Sequence, residues 1–589
     1  MSRDKKSPPW FEGDFSPKSF RSILKWGDPE EYKHPNDRLV ALIKRELKLG
    51  DEELGSPVSL GLDTVPDGSP VQLSPEQINQ LADIVGAENV NSDTYARLRA
   101  SYGQGMIDGL RLRQGIVENL PDIVLHPRDK NDVEKIIAYC SAEGIPVYTV
   151  SGRSSVTRGY EAVKGGVTLD ISTHMNQVVS FNETNQTITV QPGIFGPALE
   201  RVLNDAPNSL AAKRAYTCGH FPQSFEYSTV GGWVLTRGAG QNSTYYGKIE
   251  DLVVSQEYVS PVGTLTTQDF PRQATGPDID QVMIGSEGIF GVLVDVTLKV
   301  FRHTPKSRAR FSYMFKNWAD AQNSAREIMQ AEAGHPSVFR ISDAEETDIA
   351  MQLYGIAGTP AETLLSVLGF RPGRKCLMLG YTDGDKTFSK TLNKKMRKIC
   401  KSFGAFNLSA FGVTQRWEHG RFSDPYLRDS LTDFGVLIDT LECSVTWATM
   451  PEVHASVREV VKRRNDTICM THISHAYTQG ANLYFIFITK AKGIQEYLMF
   501  QYSILDAIQK CGASMSHHHG LGKALAPWLP DQVGNEQMAL LKSLKNHFDP
   551  NNIMNPGGTL GLDMTSEQAH KSWGIHNYEP GTKGSDPTS

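Results

Sequence analysis

The chain has 589 residues, with 60 Lys and Arg against 66 Asp and Glu, giving a formal net charge of −6 at pH 7. That length exceeds what one core accommodates and predicts roughly two to four domains. The acidic balance and the lack of a basic stripe argue against nucleic acid as a partner. Seven dispersed cysteines (Cys140, Cys218, Cys376, Cys400, Cys443, Cys469 and Cys511) form no CxxC pair. They read as reduced thiols in a reducing compartment.

The start, Met1 to Pro9, has no apolar run behind it, so no signal peptide is expected. Residues 1–118 read as a mostly helical region. Leu39, Ile43 and Leu47 recur at helical spacing. Ser74-Pro75-Glu76-Gln77 has the form of a helix start, with Ser74 as N-cap and Gln77 at the capping-box position. Gly103 to Gly109 fails the dinucleotide fingerprint, because its third glycine is one residue late and no strand precedes it.

Residues 119–303 change texture. Short strands are expected at Ile123 to Leu125, Val147 to Val150 and Val167 to Ile171. A helix follows the first strand over Lys130 to Glu143, a hairpin is expected over Val178 to Val190, and another helix from Ile194 to Asn204. Two more strands are expected within Ile249 to Thr267, and a half-buried one from Gly291 to Phe301. Residues 304–515 read as a second α+β unit, with strands at Ala309 to Phe315, Cys376 to Tyr381 and Tyr484 to Thr489. Its helices are expected near 318–331, 387–402, 451–464 and 494–511. This alternation predicts an antiparallel sheet covered on one face. Residues 516–589 hold a histidine run, a helix over Gln537 to His547 and a Pro/Gly/Ser-rich end that reads as a mobile tail. The final Asp586 to Ser589 is not a peroxisomal tripeptide. Apolar strings such as Leu483 to Ile488 are too short to span a bilayer. A cytoplasmic enzyme is expected, with peripheral membrane contact left open.

Three glycine-rich segments fall in the second unit. They are Val150-Ser151-Gly152-Arg153-Ser154-Ser155-Val156; the stretch from Gln223 and Ser224 through Ser228-Thr229 to Thr236-Arg237; and Gly285-Ser286-Glu287-Gly288-Ile289-Phe290-Gly291-Val292. Each offers backbone N–H groups and small hydroxyls without bulk, which suits a pyrophosphate. A separate feature is Ser516-His517-His518-His519-Gly520-Leu521-Gly522. Imidazoles move protons near neutral pH. A polar surface turn is the alternative. A metal is not expected, because adjacent side chains diverge and no ligand-spaced carboxylate or cysteine accompanies them in sequence.

These segments, in this order, resemble the PCMH-type FAD-binding domain of the vanillyl-alcohol-oxidase superfamily. Within it the chain resembles the alkyldihydroxyacetonephosphate synthase family. The likeness runs from about Val90 to Leu560 through Asp93 to Leu98, Pro121 to Val124, Ser228 to Val234, Tyr246 to Val253, Gly420-Arg421-Phe422, Pro425 to Asp429, the histidine run and Asp549 to Ile553. It implies noncovalent FAD, since members that tether FAD usually place a histidine in the first loop, where Arg153 and Ser154 stand. It implies cofactor contacts from Val150, Ser151, Gly152, Arg153, Ser154, Ser155, Val156, Gln223, Ser224, Ser228, Thr229, Thr236, Arg237, Glu287, Gly288, Ile289, Gly291 and Val292. It implies catalytic roles for Tyr484 as acid/base, His517, His518 and His519, Arg428 on the substrate phosphate, and Arg340. The implied reaction replaces the acyl group of acyl-dihydroxyacetone phosphate by a long-chain alcohol. It is redox-neutral, with the flavin N5 holding the substrate carbon. The alternative is an FAD-linked 2-hydroxy acid or alcohol oxidoreductase of the same fold. A homodimer is expected.

Overall fold

The computed structural model describes residues 16–563 apart from 29, 30, 55 and 56. The segment read as a mobile tail and the first residues of the chain lie outside the described part. Three larger sheets and four long helices set the architecture.

The first sheet has four strands in the order Val90–Asn91, Ile123–Leu125, Val167–Asp170, Val147–Val150. The last three run parallel and are buried, so they read as near-continuous apolar runs. The helix Lys130–Glu143 crosses between Ile123–Leu125 and Val147–Val150, with Asp129 as its N-cap and Gly144 in the left-handed conformation at its end. Far along the chain, Ile553 and Asn555 hydrogen-bond either side of Val147, at 2.7 and 2.8 Å, so residues 553–555 close the free edge of this sheet.

The second sheet is antiparallel, in the order Val178–Asn182, Thr187–Val190, Val292–Lys299, Val253–Ser260, Gly263–Thr266. The expected strand at Ile249 is instead a helical turn, Ile249–Leu252. The Asp251 carboxylate accepts the Lys248 N–H at 3.0 Å and closes that turn.

The third sheet has seven antiparallel strands in the order Phe406–Asn407, Ala309–Phe315, Cys376–Thr382, Val338–Ser342, Ile468–Ala476, Gly480–Lys490, Val436–Thr446. One face carries Phe311, Phe339, Ile341, Ile473, Leu483, Phe485, Leu441 and Cys443. It packs under the helices Trp318–Gln330, Lys386–Ser402, Met450–Arg463 and Ile494–Lys510. Because side chains alternate along a strand, the residues between these apolar ones face the other way. That opposite face holds Arg340, His472, Tyr484 and Glu442, on four strands that are successive neighbours in the sheet.

The N-terminal helices are tied to this unit by a buried charge cluster. Asp433, fully buried, accepts two bonds from Arg21 at 2.6 and 3.0 Å and one from Arg113. Both guanidinium groups are buried as well. Six of the seven cysteines are buried, and all are unpaired. Among the described residues no helix is long and apolar enough to cross a membrane. Asp433→Ala leaves two buried cations unpaired, and such a loss costs about 3–5 kcal/mol. A large drop in the urea unfolding midpoint is therefore expected; a midpoint unchanged from wild type would contradict the role given to this cluster.

Candidate active site

The three glycine-rich segments converge. The loop after strand Val147–Val150 lies against the second segment: Ser151 Oγ is 2.5 Å from Thr229 Oγ1. A Cβ on Gly152 would meet Tyr227 O at 2.7 Å and the Ser228 Cα at 2.9 Å, so only glycine allows this approach. Among the described residues, the backbone N–H groups of 152–156 meet no backbone acceptor. These N–H groups are free of backbone partners and available to an anionic group. Gly103 and Gly105 pack on the carbonyls of Ser155 and Val156, and the Gln104 N–H donates to Ser155 O at 2.7 Å. The stretch that fails as a dinucleotide fingerprint thus buttresses the loop.

The side chains of this region are largely committed to the protein itself. Arg153, with φ of 59°, turns back to pair with the buried Asp170, so its charge is matched within the fold. Ser228 Oγ accepts from the Trp233 indole at 2.7 Å, and Thr236 Oγ1 donates to Gly232 O at 2.8 Å. Arg237 latches the third segment through Ile284 O at 2.9 Å and Gln281. Gln223 donates to Arg421 O and accepts from Gln241. Contacts from these positions to a flavin would come from backbone atoms or unused lone pairs. Ser154, Ser155 and Val156 belong to the loop with unmatched N–H groups, and Ser224 opens the helical turn Phe225–Tyr227. In the third segment Gly288 has φ of 79° and a Cβ on Gly291 would meet Val259 O at 2.6 Å, while Ile289 and Val292 are buried core.

The polar face of the seven-stranded sheet forms the facing wall. Tyr484 stands directly across from Glu442 on one neighbouring strand and from His472 on the other. The Tyr484 and His472 rings stack at 4.9 Å, and the Tyr484 hydroxyl donates to Thr440 Oγ1 at 3.1 Å. Arg340 pairs with Glu346 and lies 3.0 Å from His472 Nδ1. A β-bulge between Ser474 and Ala476 gives His475 a φ of 49°. It sets that ring 5.1 Å from His517 and 5.0 Å from His518. The histidine run closes over this wall, with Tyr484 at 5.9 Å from the His518 ring and 5.6 Å from His519. Tyr477 reaches His517 Nε2 at 3.0 Å.

Two buried carboxylates hold the run. The Glu442 side chain, on the sheet, accepts the backbone N–H groups of His517, His518 and His519. Glu287, from the third glycine-rich segment, accepts those of Leu521 and Gly522, each at 2.7 Å. Glu287 therefore serves the loop with its side chain. Glu442 brings a carboxylate within 4.8 Å of His517 and His518 nitrogens, a ligand-like spacing that sequence position conceals. Its oxygens are already taken by N–H and O–H donors, which leaves no lone pair for a cation.

Electrostatics set the resting protonation. Burial pushes the Tyr484 phenol up to about 12. Burial, then the neighbouring imidazoles and Lys248, drive His517 and His518 well below the ordinary histidine value. His517 Nδ1 and His518 Nδ1 are 3.1 Å apart, a contact that requires at least one lone pair and so at least one neutral ring. Burial would raise Glu346, but Arg340 and His472 beside it hold it down at about 2. Burial thus favours a protonated Tyr484 phenol beside neutral His517 and His518.

Arg428 sits apart from the imidazoles. Its guanidinium donates to Gln104 O and to Gln104 Oε1 at 3.1 Å, and lies over the Trp26 ring. It shares with His519 an electrostatic influence on the buried Asp439 carboxyl. Sequence reasoning did not single out Glu442, His472, His475, Tyr477 or the buried His220, which stacks on Trp233 at 4.6 Å. The only available signal was polar residues interrupting β-branched and aromatic runs.

The geometry predicts the behaviour of the flavin. Gly152→Ala should lose at least about tenfold in FAD retention, because a Cβ displaces backbone at the loop's closest approach. In the wild type, acid precipitation should release all the flavin. Full FAD content in Gly152→Ala, or flavin left in the pellet, would contradict this account.

Residues 121–268 match the FAD binding domain family, and residues 304–559 match the C-terminal domain of FAD linked oxidases. The chain is 30% identical over 554 residues to the alkyldihydroxyacetonephosphate synthase of Dictyostelium discoideum, covering 90% of this chain and 88% of that one. It is also 30% identical to the Caenorhabditis elegans synthase, over 82% of this chain and 83% of that one. A solved alkyldihydroxyacetonephosphate synthase superposes with a TM-score of 0.76 at 26% identity, covering 91% of this chain and 99% of its own. The chain belongs to the alkyldihydroxyacetonephosphate synthase family of FAD-dependent enzymes.

Proposed function

We propose that this enzyme replaces the acyl group of acyl-dihydroxyacetone phosphate by a long-chain alcohol, forming an alkyl ether and releasing a fatty acid. The observation that carries this reading is the convergence of Tyr484 with His517, His518 and His519 in a chain of this family. FAD would be held noncovalently by the loop 150–156 and the segments around Ser228 and Gly288, and would supply the covalent foothold for the substrate carbon. The protons fall to this chain's residues. Exchange at C1 requires removal of a carbon-bound proton, departure of a carboxylate, uptake of the alcohol proton and return of a proton to C1. Neutral imidazoles suit the first and last of these. Tyr484, protonated at rest, suits the departure of the carboxylate and then accepts the alcohol proton. One C–O bond breaks and one forms, so no electron acceptor is needed.

Arg428 is assigned to the substrate phosphate. Its planar fork allows bidentate contact that lysine cannot copy. Arg340, matched by Glu346, orients His472 beneath Tyr484. Because both reactants carry long chains, peripheral membrane contact and a homodimer belong to the same proposal.

The test is turnover of purified, FAD-loaded enzyme on acyl-dihydroxyacetone phosphate and a long-chain alcohol without an electron acceptor. Ether product and fatty acid should appear in equal amounts. Strict dependence on an acceptor, with flavin bleaching by a 2-hydroxy acid, would replace this reading by an oxidoreductase. Tyr484→Phe should keep its FAD and lose about 100- to 10,000-fold in turnover; wild-type kinetics would remove Tyr484 from the chemistry. The pH profile follows from the protonation states. His517 and His518 act as bases when neutral, and their depressed affinity for protons keeps them so below pH 6.5. The acid Tyr484 stays protonated to about 12. kcat/KM should therefore stay flat from pH 6.5 to about 9. A half-maximal fall near pH 6.5 would contradict the neutral-imidazole assignment.

A further inference from the structure

We infer that Glu442 is the positioning residue of the histidine run, holding the three imidazoles in register with Tyr484; this rests on the reading above. The N–H groups of 517–519 converge on one side chain, while Lys248 Nζ donates to His517 O at 2.8 Å from the other side. Ser516 Oγ donates to Glu442 Oε1 at 2.7 Å. The His517 N–H reaches both oxygens, at 2.9 and 2.8 Å. The N–H groups of His518 and His519 donate to Oε1 at 3.0 and 3.1 Å. From the sheet, Asn482 Nδ2 donates to Oε2 at 2.7 Å.

Three consecutive N–H groups converging on one point form a concavity that binds an anion. Here the protein supplies that anion. The carboxylate side chain is 0% exposed. It is fixed by its strand, directly opposite Tyr484. Adjacent side chains in a loop normally diverge. Tying all three amides to one centre gathers the three rings around it, with His518 Nδ1 3.5 Å and His519 Nδ1 4.0 Å from the carboxylate, and sets them where Tyr484, His475 and Tyr477 meet them. An ionised carboxylate only accepts hydrogen bonds, whereas the amide of glutamine would direct its own N–H groups at the loop's. The residue acts through the loop's N–H groups and beside the His518 and His519 rings, on groups that themselves face the chemistry, so it is a positioning group.

The test compares FAD-loaded wild type with Glu442→Gln and the milder Ser516→Ala. Glu442→Gln should lower kcat about 100-fold while KM stays within threefold and FAD content is unchanged. Ser516→Ala should fall in the same direction by less. Amide hydrogen exchange at residues 517–519 should accelerate in both variants, while the seven-stranded sheet keeps its protection. That exchange readout needs no substrate, so it separates failure of this inference from failure of the proposed reaction. If Glu442→Gln does not fold, Ser516→Ala carries the test. Wild-type kcat in the variants, unchanged exchange at 517–519, or protection lost equally throughout the sheet would each overturn the assignment.

Discussion

The site depends on one loop held between two buried carboxylates. Residues 517–519 hang from Glu442 on the antiparallel sheet, and residues 521–522 hang from Glu287 in the flavin-binding unit. A short loop thereby bridges the two halves of the enzyme. Buried N–H groups must be paired, and pairing with a charged acceptor is stronger than pairing with a neutral one. The glycines make this geometry available: Gly520 and Gly522 have φ of 80° and 54°, and a Cβ on Gly522 would collide with Thr157 O. The histidines are thus held by their backbone, which leaves their rings for chemistry.

The second constraint is the two-faced sheet. Its apolar face, under four helices, supplies the core. Its polar face supplies a row of reactive groups at the spacing of neighbouring strands. Burial on this face does more than exclude water. It raises the phenol and lowers the imidazoles, so opposite proton roles arise from one environment acting on residues of opposite charge type. This division of acid and base is what the proposed exchange would demand of the protein.

Much of this was legible in the sequence, and what was not has physical causes. The parallel strands and the helix Lys130–Glu143 follow from buried apolar runs and clear caps. The strands Val436–Thr446, Ile468–Ala476 and Val338–Ser342 were missed, and they carry the polar residues of the candidate site. In the first, Thr440, Glu442 and Ser444 alternate with Leu441, Cys443 and Val445 as in a half-buried strand, a signal that was passed over; in the second, Thr471, His472 and His475 break the apolar run. The histidine run stood out by composition, but its anchor did not. Glu442 lies 75 residues from His517 in sequence and is joined to it only by strand pairing and loop return. Arg153 looked like a charge thrust at a pyrophosphate; its pairing with Asp170 depends on a parallel register that no local pattern reveals.

The most direct measurement is exchange of the C1 proton of acyl-dihydroxyacetone phosphate with deuterated solvent, followed by proton NMR, on FAD-loaded enzyme without any electron acceptor. The account predicts that wild type loses a C1 proton signal and that His518→Ala, with its FAD retained, does not. A wild type that leaves C1 unexchanged, or a His518→Ala variant that exchanges it at the wild-type rate, would contradict it.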